Sequence, residues 1–135
     1  MTSKVIYIGD LRTEATHLKS HTQIITDAPT DNQGKGQAFS PSDLVATALA
    51  SCMMTIMGIY AQRENIDLKG TNLEVIKIMT SEPPRKIAEI VIDIYFPKSL
   101  NLSEKHQIAL KNAAYTCPVA LSLAPQIKQN ISFYF

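Results

Sequence analysis

The alternation of apolar and polar residues changes character along the chain. "KVIYIG" (4–9) and "HTQIITDAP" (21–29) are rich in β-branched residues and stop at Gly or Pro, which predicts two strands. The stretch "DLRTEATH" between them fits either a further strand or a loop. "TDNQGKGQAF" (30–39) brings Asp, Asn and two glycines close together, the chemistry of turns. At Ser40 the pattern switches. "FSPSDLVATALASCMMTIMGIYAQREN" (39–65) is apolar on nearly every side until Gln62, Arg63 and Glu64. Ser40 is the expected N-cap, Pro41 the first helical residue and Asp43 an acid in the first turn. About six turns of helix fit here. A helix apolar all round must be enclosed, by a sheet on one side and by something else on the other; a second copy of the chain is one candidate.

Strand-like alternation returns in "LKGTNLEVIKIMTS" (68–81) and "RKIAEIVIDIYFP" (85–97), with "EPP" as the hairpin turn. In the second of these, Ala88, Ile90, Ile92, Ile94 and Phe96 share a wholly apolar face, the predicted core side. Residues 101–116 form an amphipathic pattern capped by Ser103. Cys117 then precedes Pro118 and a short helical stretch, and "IKQNISFYF" ends as a strand. The order β-β-(β)-α-β-β-α-α-β describes an α+β domain over 1–135, with mostly antiparallel sheet and a long buried central helix.

Composition narrows the classes. A chain of 135 residues, 45% hydrophobic and 19% charged, can bury a real core as one domain. Its formal charge of +1 and the lack of a Lys/Arg cluster argue against nucleic acid or an anionic membrane surface as main partner. Charges at Lys4 and Asp10 and the lack of a long apolar segment beside them argue against a signal peptide. Leu44–Ala61 is uncharged and long enough to be tested as a membrane span. Thr47, Ser51, Thr55, Gly58 and several alanines dilute it, so a core helix and a cytoplasmic protein are expected.

Two cysteines in a reducing compartment mean either redox chemistry or inert packing. Cys52 and Cys117 are too far apart in sequence for a CxxC or a zinc-type spacing. Cys117, just before Pro118 at a helix start, sits where free N–H groups and the helix dipole favour a thiolate. Cys52 lies mid-helix with no Lys or Arg between Leu44 and Ala61. His17 and His21 have a metal-ligand spacing only on a helix, and their segment reads as strand and turn. His106 is expected at the surface. "GKGQ" (34–37) lacks the phosphate-loop pattern and reads as a flexible loop. Met53, Met54 and Met57 are expected as core filler, with a lining of an apolar pocket as the alternative.

"SPSDLVATALASC" followed by the later "CPVALSL" resembles the OsmC/Ohr family, the osmotically induced and organic-hydroperoxide-resistance proteins. The resemblance runs over nearly the whole chain. It implies an intertwined homodimer with the cysteine-bearing helices packed centrally and a site near the dimer interface. It also implies a peroxidase without metal or organic cofactor, with Cys52 peroxidatic and Cys117 resolving. An organic hydroperoxide would oxidise Cys52 to a sulfenic acid, Cys117 would condense with it, and an external dithiol would reduce the disulfide. That order of roles runs against the dipole argument, which makes Cys117 the more acidic thiol. Typical Ohr members carry a Glu directly after the helix-start Pro, paired with an activating Arg; here that position is Ser42, with Asp43 following. Arg12, the only arginine before the helix, is the candidate cation, and Asp43 the candidate acid. Nine residues of helix separate Asp43 from Cys52 by about 13.5 Å and roughly half a rotation. Asp43 is therefore expected to act through a crossing partner helix or by orienting Arg12. The departure at Ser42 also keeps open a dimeric small-molecule binding or scaffold protein on the same fold.

Overall fold

A computed structural model describes residues 1–135 as two units, 1–45 and 46–135. In the first, β1 (Ser3–Gly9), β2 (Arg12–His17) and β3 (Gln23–Asp27) form an antiparallel meander in that order. The ambiguous segment "DLRTEATH" is therefore a strand, entered through a two-residue turn. Asp10 and Leu11 both have positive φ there, as a type I′ hairpin turn requires. His17 Nδ1 lies 2.7 Å from Ser20 Oγ and helps close the β2–β3 turn. Apolar side chains occupy both faces of this sheet. Ile6, Ile8 and Ile25 lie on one face and Val5, Tyr7 and Ile24 on the other, each between 45% and 65% exposed.

Helix α1 (Pro41–Arg63) starts as its sequence predicts. The Asp43 N–H donates to Ser40 Oγ (3.1 Å) and the Ser40 N–H donates to Asp43 Oδ2 (2.9 Å). This reciprocal capping box satisfies donors that a helix start otherwise leaves orphaned.

In the second unit α1 meets β4 (Asn72–Met79), β5 (Ile87–Tyr95) and β6 (Lys128–Tyr134), ordered β4-β5-β6. β4 and β5 form an antiparallel hairpin, whereas β6 runs parallel to β5. A parallel pair needs a crossover, and α2 (Glu104–Tyr115) with α3 (Pro118–Ser122) supplies it. Central position explains why β5 is the core strand: Ile90, Ile92 and Ile94 are fully buried and Phe96 nearly so, on the predicted face. Leu49, Met53 and Met57 of α1 and Leu110 and Ala114 of α2 complete the same cluster. Burying each large aliphatic side chain is worth about 1.5–3 kcal/mol.

The buried positions of α1 are Ala46, Leu49, Ala50, Met53, Met57 and Ala61, which recur with the helical repeat and form one enclosed stripe. Ser51, Thr55 and Ile59 remain exposed. Within residues 46–135, the expectation of a helix covered on every side is thus met on one side, where β5 and α2 supply the core. The methionines divide as well. Met53 and Met57 are core, and Met54 lines a groove. His106 is half-buried rather than at the surface, its Nδ1 2.9 Å from Tyr60 Oη.

Candidate active site

Helix α1 holds Cys52 at the edge of its buried stripe, half-buried, packed against the core that contains Cys117. Cys117 is fully buried between the end of α2 and the start of α3. Its extended backbone and Pro118 at the first helical position make it the N-cap of α3, and the Ala120 N–H donates to its Sγ at 3.3 Å. The thiols, remote in sequence, belong to one core cluster and lie near enough to influence each other's ionisation.

The environment reverses the dipole argument for Cys117. Burial, the largest influence, pushes its thiol above the ordinary value of 9.0; the Ala120 N–H pulls the other way, and the contact with Cys52 raises it again. Desolvation of a thiolate in an apolar core outweighs two backbone donors at a five-residue helix. Cys117 is therefore held as a neutral thiol, and Cys52 is the more accessible of the two.

Arg12 and Asp43, the other two residues singled out from the sequence, belong to the first unit. Asp43 closes the capping box of α1. Arg12 Nη2 donates to Asp27 Oδ2 at 3.1 Å and to Gln37 Oε1 at 2.5 Å. The Gln37 N–H donates to the same Asp27 oxygen at 3.0 Å. Asp27 is completely buried, and its carboxyl is held below the usual 3.8, first by the hydrogen bond from Arg12 and then by that from Gln37. Asp27 and Gln37 were not evident from the sequence. The signal that could have found Asp27 is register: once "RTEATH" is a strand, the hairpin places Arg12 directly opposite Asp27.

Between α1 and β4, a groove of ≈ 430 Å³ is lined by Thr47, Ala50, Ser51, Met54 and Thr55 of α1 and by Leu73 and Val75 of β4; neither cysteine is part of its lining. Its walls are largely apolar, which suits an alkyl chain more than a charged group.

Residues 34–132 match the family model described as OsmC-like protein. The chain belongs to the OsmC-like family. Among solved structures, a candidate osmotic stress induced and detoxification response protein from Psychrobacter arcticus 273-4 is 54% identical, with a TM-score of 0.94 over 99% of this chain and 96% of that one. An organic hydroperoxide resistance protein OsmC from Legionella pneumophila shares the fold at 16% identity, with a TM-score of 0.76 over 100% and 98% of the two chains. OhrB, the organic hydroperoxide resistance protein of Bacillus subtilis, does so at 19% identity, with a TM-score of 0.70 over 98% of each chain. No curated protein matches the sequence significantly. This OsmC-like chain thus has the mixed α+β architecture with the long central helix that the two cysteine motifs led one to expect.

Proposed function

We propose that this protein is a cytoplasmic thiol peroxidase that reduces organic hydroperoxides and acts as a homodimer. The observation that carries the reading is the thiol pair: a half-buried Cys52 packed against the core that holds a fully buried, neutral Cys117. Hydroperoxide resistance in the names of structural relatives, and family membership itself, support a role in peroxide defence. In the first step the Cys52 thiolate attacks one peroxide oxygen. The O–O bond breaks, the leaving alkoxide takes a proton to depart as alcohol, and Cys52 becomes a sulfenic acid. Cys117 sulfur then attacks Cys52 sulfur. The sulfenic hydroxyl leaves with the Cys117 proton as water, and the disulfide forms. An external dithiol supplies the two electrons that restore both thiols.

Keeping Cys117 protonated suits this order, because its proton is available for the departing hydroxide and it does not compete for the peroxide. Arg12 is the proposed cation for the Cys52 thiolate, and Asp43 the acid that helps orient it. Exposed apolar residues on both faces of the β1–β3 sheet, and the open side of α1, support a second copy of the chain as cover.

Reduced protein supplied with an alkyl hydroperoxide and a dithiol is expected to turn over to alcohol. Cys52→Ser is expected to abolish this, and Cys117→Ser to stop after one turnover with a sulfenic acid trapped by dimedone. No turnover by the intact protein, or undiminished turnover by Cys52→Ser, refutes the reading. The apolar groove beside α1 favours one alternative, a small-molecule binding protein on the same fold. That alternative predicts saturable binding of an apolar ligand with no peroxide consumption.

A further inference from the structure

We propose that the "GKGQ" loop is a positioning device for Arg12, with Gln37 and Asp27 as the residues that fix its guanidinium. The inference rests on the reading in which Arg12 serves the Cys52 thiolate. A guanidinium is a rigid planar fork, so holding one nitrogen from two directions in the fold fixes the direction in which the remaining donors point. Here the two acceptors come from different segments: Asp27 from β3, directly opposite Arg12 in the sheet, and Gln37 from the loop after it. They are also tied to each other through the Gln37 N–H and Asp27 Oδ2. The three groups close a triangle around Nη2.

The loop is built to deliver that contact. Gly34 N–H donates to Pro29 O (3.0 Å) and Gly36 N–H to Ala28 O (3.2 Å), folding the loop back onto the end of β3. A Cβ at Gly34 would sit 1.6 Å from the Ala28 carbonyl oxygen, so no side chain fits there. Gly36 has φ +62°, the left-handed region that suits glycine. Two residues past Ala38, Ser40 begins the capping box of α1, and the Asp27 N–H donates to Phe39 O (3.0 Å). Both glycines that suggest a phosphate loop at first sight thus serve to bring the Gln37 side chain onto Arg12.

The ion pair itself is incomplete. Arg12 Nε and Asp27 Oδ1 are buried without a hydrogen-bond partner, although a side-on fork would join them. Buried, unsatisfied groups of this kind are costly and rare. Gln37, which shares Nη2 with Asp27, is the contact that competes with that fork. It keeps the guanidinium from settling wholly onto its carboxylate neighbour and leaves donors for an incoming anion.

The test uses the full chain, reduced and labelled with ¹⁵N-arginine. In the wild type the buried Arg12 Nε–H is expected to exchange slowly with solvent. In Gln37→Ala and in Asp27→Asn, exchange is expected to accelerate by roughly tenfold or more. Unchanged exchange in Gln37→Ala overturns the proposal. Gln37 is exposed, so this variant decides the matter even if Asp27→Asn does not fold. In parallel, the pH midpoint of Cys52 alkylation, followed by mass spectrometry, is expected to rise by about half a unit in Gln37→Ala and by more in Arg12→Gln. A rise in Arg12→Gln alone preserves Arg12 as the activating cation and overturns the positioning role. No rise in Arg12→Gln refutes the activating role, and the positioning role falls with it.

Discussion

The two three-stranded sheets of this protein share their size and their alternating composition, yet only one of them makes a core. In β4–β5–β6, the central strand turns Ile90, Ile92 and Ile94 onto the helices, and all three are fully buried. In β1–β2–β3, the isoleucines and Val5 are split between the two faces and stay about half exposed. What differs is segregation. β5 has one wholly apolar face, so a single helix layer can bury it, whereas the first sheet divides its apolar residues and needs cover from outside its own unit. What the first sheet has in place of a core is a polar anchor, the buried Asp27 with Arg12 and Gln37. Stability in one half is apolar and in the other electrostatic.

The largest expected effect comes from the apolar half. Ile92→Ala should cost about 2–5 kcal/mol by chemical denaturation, from lost burial and the cavity left behind. The matching change Ile24→Ala should stay within roughly 0.5 kcal/mol in a lone chain. An equal loss at Ile24 under dimeric conditions would break the contrast and show that a second copy covers that sheet.

Acid should sharpen the comparison from the other side. The folded carboxyl of Asp27 lies below its unfolded value of 3.8, so the native state binds fewer protons than the unfolded chain. Its contribution is present above that value and is lost as pH falls through the lower folded one. Amide exchange in β2 and β3 should therefore quicken below about pH 4 before that in β5 does, and Asp27→Asn should remove this pH dependence. A smaller effect than at Ile92 is expected where the halves join in sequence: Ser40→Ala removes one side of the capping box and should cost about 0.5–2 kcal/mol in thermal or chemical melts.

Much of this was legible in the residues. The long helix, its Ser40–Asp43 start, the core face of β5 and the cap at Ser103 all follow from local pattern, because each depends on neighbours within a few positions. The parallel pairing of β6 was not legible, since strand direction depends on a crossover and not on the strand's own alternation. Of the candidate site, Cys52 and Cys117 were singled out through their motifs, and the structure packs both into one core cluster. The relative acidity suggested for Cys117 failed because a helix start is a local feature and burial is a tertiary one. Asp27 was missed for the related reason that its importance lies in register.

The parallel β5–β6 pair also sets a timetable. Antiparallel hairpins such as β4–β5 close short loops and form early, whereas β6 can zip onto β5 only after the whole α2–α3 crossover has been folded back. Cys117 lies inside that crossover, so its encounter with Cys52 belongs to the slow, non-local part of folding. During refolding the chain should pass through a stage in which the long helix has formed and Cys52 still lacks its partner. A pulse of thiol reagent applied then should mark both cysteines, and the same pulse applied later should spare Cys117. The thiol pair is in this sense a clock for the completion of the fold.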